Sequence, residues 1–344
     1  MKRIEYLDAA KGALMICIVA GHFINNPVVH NSIFSFHVPA FFIISGYFYK
    51  NTGREKVKSY CIRCLKPYSF TVLVLLLVDS VANVMRLMLQ KNYVNEFEII
   101  KKWLIAFLYG SGSRNVFLGL ELPVVGAVWF LLALSWSVVL FVLIEHLIAR
   151  FRVQNTSIYA FVISIILFVI ALYSATWAWF PFSIQAGMAG VLFFYVGHLF
   201  KRNYGTFRFS LYISSICLLV WCVDIYFNIR NDYMSLVRCC FPNPVINILG
   251  AISGTYIIVC VMYGLEKVKV LTPAFRFLTE WGKYSTVILC FHLVELDFFP
   301  WNRLFYFLNS HIIKTCIILF CKIVFCTICM KIIKRIKKLN LVFS

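Results

Sequence analysis

Lys11 and His22 stand eleven residues apart in the first apolar run of the chain. On an α-helix that step is close to three full turns, so both side chains fall on one face, about 16 Å apart along the axis. Asp8 and Asn25 share the stripe. An imidazole can take a proton from an attacking hydroxyl near neutrality, or can itself accept an acyl group. A lysine lower on the same face can meet an anion, or can simply extend its ammonium to the helix end. Two more histidines, His37 and His292, sit inside apolar runs. There an ionisable group costs at least a few kcal/mol and so normally faces the bundle interior. Counting inward from the ends of their runs places His22, His37 and His292 at a similar depth, although a lone membrane histidine ordinarily hydrogen-bonds a neighbouring helix. Glu295, three residues after His292, is spaced to orient it. Asp8, three residues before Lys11, is spaced either to hold its ammonium or to act as an ordinary helix-start carboxylate.

These residues need elements long enough to carry them through a bilayer. The chain is 62% hydrophobic and only 14% charged, with a mean hydropathy of +0.84, more apolar surface than a water-soluble core of its length needs. About ten apolar runs of roughly membrane-spanning length can be placed. They cover 9–26, 32–49, 67–86, 126–148, 158–178, 185–200, 209–227, 245–265, 283–299 and 311–331. The expectation is an all-α polytopic membrane protein of about ten transmembrane helices, in one membrane domain over 1–344.

With that number of spans the basic clusters fall on one face: Lys2/Arg3, Arg54 to Lys66, Arg150/Arg152, Lys201/Arg202/Arg208, Lys267/Lys269/Arg276 and Lys331 to Lys338. The positive-inside rule then makes both termini cytoplasmic. The run Trp103–Tyr109 is too short to span, and making it a span would reverse every later loop. It is expected as a short interfacial or re-entrant helix near 99–110 on the outer side.

The same distribution argues against a nucleic-acid partner. A net charge of +19 is dispersed in short clusters between apolar runs rather than gathered on one aromatic-bearing surface. Most of the thirteen cysteines lie inside apolar runs as small hydrophobes, and the pairs Cys61/Cys64 and Cys326/Cys329 lack a histidine at zinc spacing, so no metal site is read. Glu5, Asp8 and Lys11 do not suit a signal peptide, and the first helix is expected to be retained.

Residues Arg3 to Gly12, then Gly21-His22, then Ser35-Phe36-His37-Val38-Pro39-Ala40-Phe41-Phe42 and Ser45-Gly46-Tyr47 resemble the start of the acyltransferase-3 family of integral membrane acyltransferases, most closely its fucose 4-O-acetylase group. The specific motifs lie in residues 3–68, with a basic residue and a histidine eleven positions on as Lys11 and His22. Looser likenesses are Arg63-Cys64-Leu65-Lys66-Pro67-Tyr68, the Trp129-Phe130 pair and Phe291-His292. One departure is Lys66, where relatives often carry a second arginine; lysine meets phosphate as a point charge rather than bidentately.

The resemblance implies transfer of an acyl group, usually acetyl, from cytoplasmic acyl-CoA to a carbohydrate hydroxyl, with no tightly bound cofactor. It also implies a bacterial plasma (inner) membrane location. His22, Lys11 and His37 are then the catalytic candidates, with Asp8, Trp129, His292 and Glu295 supporting them. Arg63 and Lys66 would meet the CoA phosphates on the cytoplasmic mouth, and Ser45 and Tyr47 would line the path of the pantetheine arm. His22 could act as general base or as transient acyl carrier. A different class of reading is a carrier or flippase for a lipid-linked sugar, against which the sequence shows no inverted repeat and no paired broken helices.

Overall fold

The computed structural model describes residues 4–24, 26–50, 53–89, 93–152, 154–207 and 209–343. Lys2, Arg3, Asn25 and Arg208, used above in the charge pattern and the polar stripe, lie outside the described residues. The chain forms α1 (Glu5–Gly21), α2 (Pro27–Phe34), α3 (His37–Phe48), α4 (Arg54–Met88) and α5 (Glu96–Tyr109). After a two-residue hairpin, β1 (Val116–Phe117) and β2 (Leu120–Glu121), come α6 (Trp129–Arg150), α7 (Thr156–Ala175), α8 (Ile184–Tyr204), α9 (Leu211–Arg230) and α10 (Pro244–Leu265). The last third holds α11 (Thr272–Lys283), α12 (Ser285–Phe298), α13 (Trp301–Leu304), α14 (His311–Arg335) and α15 (Lys337–Phe343). The hairpin and an isolated antiparallel bridge between Ser235 and Cys240 are the departures from an all-α fold among the described residues. The hairpin turn is made by Leu118 and Gly119, both at positive φ, the pairing that a two-residue turn between twisted strands requires.

Eight helical segments among the described residues are long and apolar enough to cross a membrane, with α2 and α3 counted together as Pro27–Phe48. The chain is thus an all-α polytopic membrane protein. The first and ninth expected spans are shorter helices: α1 has 17 residues and α12 has 14, about 25 and 21 Å of rise against about 30 Å of hydrocarbon. These two carry or end at His22 and His292. The stretch before α12, expected as a loop, is the helix α11. Phe275 and Trp281 on its buried side draw it onto the bundle while Arg276 and Lys283 stay exposed.

Local sequence explains the two breaks beside the histidines. After His22 the chain reverses into α2, where Pro27 takes the first helical position and the Asn26 side chain accepts from the Val28 and Val29 N–H groups at 3.0 and 3.2 Å. Pro39 lacks the N–H that would bond the Ser35 carbonyl, and the helix restarts at His37.

Helix α5 runs back along α4. Asn83 bonds the Val94 carbonyl and Glu96, Asp79 takes Lys102 and the Trp103 indole, and the Tyr68 hydroxyl donates to the Phe107 carbonyl. From Asn83 to Tyr68 this descends about 22 Å before Gly110, at φ 58, turns the chain back. Helix α5 is thus packed lengthwise against α4.

Backbones meet most closely where glycine removes the side chain. A Cβ on Gly197 of α8 would lie 1.8 Å from the Ile43 carbonyl oxygen, and one on Gly46 of α3 would lie 1.9 Å from that of Phe194. Gly197→Ala must therefore separate α3 from α8, and a loss of about 1–3 kcal/mol is expected. A lower melting temperature in detergent would register it; an unchanged one would show that this interface yields freely.

Candidate active site

His22 lies one residue beyond α1, at its C-cap, with its N–H bonded to the Ile18 carbonyl at 3.1 Å. The side chain stays exposed, and it faces a cavity of about 300 Å³ within the bundle. His37, Phe34, Trp129 and Leu293 share the cavity wall. Phe34 stands edge-on to both imidazoles, with centroids 6.0 Å from His22 and 4.7 Å from His37. His37 is buried and its Nδ1 lies 2.8 Å from the Ile33 carbonyl oxygen. A carbonyl only accepts, so Nδ1 carries the proton and Nε2 is left as the basic nitrogen.

His292 packs directly behind, its ring centroid 5.7 Å from that of His22. It is fully buried, with Nδ1 2.8 Å from Glu295 Oε1, and its Nε2 has no hydrogen-bond partner among the described residues. The carboxylate fixes the tautomer: Nδ1–H donates and Nε2 keeps its lone pair. Glu295 is in turn gripped at 2.8 Å on each oxygen by Lys322 Nζ, and it accepts a hydrogen bond from the Trp301 indole N–H. Lys322 and Glu295 are themselves 1% and 0% exposed, so the pair is wholly removed from solvent near the middle of α14. With Phe23 and Trp301 rings 5.4 and 5.7 Å from the ammonium, the lysine has a π-lined socket.

Apart from Trp129, the other expected site residues lie elsewhere. Lys11 pairs with Asp8 at 2.7 Å, and Asp8 also stands in the first turn of α1, so the geometry fits both roles open to it. Lys11 faces not the histidine cavity but a separate one of about 340 Å³, together with Ser45, Tyr49, Lys50, Lys56 and Tyr60. Tyr47 departs from the expected shared lining with Ser45. Two helical positions rotate a side chain by about 200°, so Tyr47 points away, donates to the Gly205 carbonyl at 2.9 Å and lies under the Lys201 ammonium. Arg63 and Lys66 are both exposed on α4; Lys66 borders a shallow groove against Leu341 and Val342 of α15, and neither residue reaches a cavity wall shared with Ser45 or His22. Trp129, the first residue of α6, does line the histidine cavity.

Lys322 is the site residue that the reading of the sequence passed over. The signal was present: a lysine inside the apolar run 311–331 carries the same cost that singled out the histidines. A second buried polar group, also passed over, joins three helices. Asn247 donates to Asp224 at 2.8 Å, and Asn31 donates to the Asn228 carbonyl at 2.8 Å, tying α2, α9 and α10 together beside the cavity. Among the described residues no group of His, Cys, Asp and Glu side chains is arranged to hold a metal ion.

A polytopic helical bundle with imidazoles around an internal cavity, one of them oriented by a carboxylate, defines an integral membrane protein equipped for proton or group transfer. The family model described as an acyltransferase domain matches residues 4–331, and the chain belongs to that family, acyltransferase-3. Among curated proteins and among solved structures no match was found.

Proposed function

We propose that the protein is an O-acyltransferase that moves an acetyl group from acyl-CoA to a hydroxyl of a cell-surface, secreted or lipid-linked carbohydrate. In this reading it sits in a bacterial plasma membrane. The observation that carries the proposal is the exposed His22 imidazole in a bundle cavity, beside His37 and 5.7 Å from His292. The likeness of residues 3–68 to the fucose 4-O-acetylase group favours a sugar acceptor. The Lys/Arg-rich ends at the side where α1 begins make that side cytoplasmic, and with ten membrane crossings both termini lie there. CoA, polyanionic, meets the protein on this basic side, and only its thioester arm enters the bundle.

Two routes through His22 balance. As general base it takes the hydroxyl proton while the oxygen attacks the thioester carbonyl; the C–S bond breaks and the thiolate recovers the proton, giving the ester and free CoA. As acyl carrier it attacks the carbonyl itself, releases CoA and passes the acyl group from its ring nitrogen to the hydroxyl. In both, His37 and His292 hold neighbouring proton-accepting nitrogens, and Glu295 orients the His292 ring.

The test is label transfer. Membranes containing the protein, supplied with acetyl-labelled CoA and the host's surface polysaccharide, are expected to place label on the glycan as an alkali-labile ester. A protein that moves a lipid-linked sugar across the bilayer while leaving no label on any glycan would be a carrier, and the proposal would fall.

A further inference from the structure

The histidine cavity adjoins a second cavity that Glu5, at the start of α1, helps to line. Thr286, in the first turn of α12, forms part of both walls, and the second cavity measures about 770 Å³. From Thr286 to His292 is six residues, about 9 Å of helical rise. The second cavity differs in chemistry. Glu5, Arg276, Glu280, Lys283, Lys334 and Asn340 surround it, where the histidine cavity is mainly apolar. Lys334 and Glu280 neutralise one another at 2.9 Å. Arg276 and Lys283 are exposed and form no ion pair among the described residues, and Glu5 is the carboxylate left to oppose them. Lys331, Arg335, Lys337 and Lys338, all exposed around the junction of α14 and α15, add positive potential at the same rim.

Neither of the other basic sites adjoins the histidine cavity in this way. The cavity of Lys11, Lys50 and Lys56 shares no lining residue with the histidine cavity, and Arg63 and Lys66 line neither. A donor that is an anion at one end and a slender thioester at the other needs cations outside and an apolar path inside. The mouth framed by α1, α11, α12 and α14 supplies the cations, and at Thr286 it adjoins the mainly apolar histidine cavity.

We infer that this mouth is the donor port. Arg276 and Lys283 hold the phosphates of a phosphopantetheine thioester, and the acyl-bearing arm passes Thr286 to reach His22. This rests on the reading of acyl-CoA as donor given above. It moves phosphate recognition from Arg63 and Lys66 to a pair of residues on α11 that no motif marks.

The experiment uses the full chain in lipid nanodiscs, with labelled CoA binding and acetyl transfer measured side by side. For Arg276→Ala/Lys283→Ala the Kd for CoA and the KM for acetyl-CoA should each rise about tenfold or more, because charge-assisted contacts to phosphate are lost. The kcat at saturation should stay within about threefold, and acetyl-pantetheine, which has no phosphate, should be used equally by variant and wild type. Arg63→Ala/Lys66→Ala should leave both constants within about threefold. Thr286→Trp should block transfer from acetyl-CoA while the Kd for CoA holds, separating passage from docking. Melting temperatures check that each variant is folded.

The port is overturned if the α4 pair shifts the constants and the α11 pair does not, or if Thr286→Trp turns over normally. Failure of the wild type to bind CoA at all would overturn the donor reading beneath it, and a wild type that binds and transfers while the α11 pair behaves normally would overturn the port alone.

Discussion

His22→Ala is expected to lower kcat for acetyl transfer by about 10²- to 10⁴-fold, the range typical for removal of a positioned general base. Its KM for acetyl-CoA should stay within about twofold, because in the proposed reaction the residue meets the reacting atoms and not the nucleotide. Folding should survive the change: the side chain is exposed to the cavity and makes no side-chain hydrogen bond among the described residues, so truncation leaves no buried group unpaired. Size-exclusion profiles of the detergent-solubilised variant would check that. A folded variant retaining a third or more of the wild-type kcat would remove His22 from the chemistry. The acyl-carrier route makes a further demand. Denaturing quench of wild type with labelled acetyl-CoA and no acceptor should then leave label on the protein, and His22→Ala should leave none; general-base action leaves none in either case.

The second large effect belongs to Lys322. Lys322→Met leaves the Glu295 carboxylate buried with only the His292 N–H and the Trp301 indole against it, and loss of one partner of a buried pair costs about 3–5 kcal/mol. Glu295→Gln strands the Lys322 ammonium with a similar penalty. Against total stabilities of roughly 5–15 kcal/mol either change should sharply reduce the folded protein recovered in detergent. The double variant Glu295→Gln/Lys322→Met carries no stranded charge, keeps a carbonyl to accept the His292 Nδ1–H, and should recover most of the lost stability. A double-mutant cycle on melting or denaturant midpoints measures this; additive losses, with the double variant below both singles, would mean that the two side chains do not act as a pair. The arrangement also has a kinetic consequence. Carboxylate and ammonium together form a net-neutral anchor, so His292 is oriented without an added charge next to His22.

These effects trace back to different levels of the molecule. The membrane class was legible in composition and in the alternation of apolar runs with basic clusters, because a bilayer demands long apolar helices whatever their tertiary partners. The family was legible in the first 68 residues, and the helical step from Lys11 to His22 was legible in spacing alone. Glu295 as a partner for His292 was also within reach, since three residues on a helix bring two side chains together.

What the chain could not announce is which helix faces meet. His22 and His292 come from α1 and α12, Lys322 reaches Glu295 from α14, and contacts between elements so distant in sequence leave no periodic signal. The same limit separates Ser45 from Tyr47 and puts Lys11 on a different cavity from His22, although all lie in recognisable motifs. Local spacing determines the face of a helix on which a residue stands. Only the packing of that face against others, set at places such as Gly46 and Gly197 where backbones touch, decides what the residue can reach.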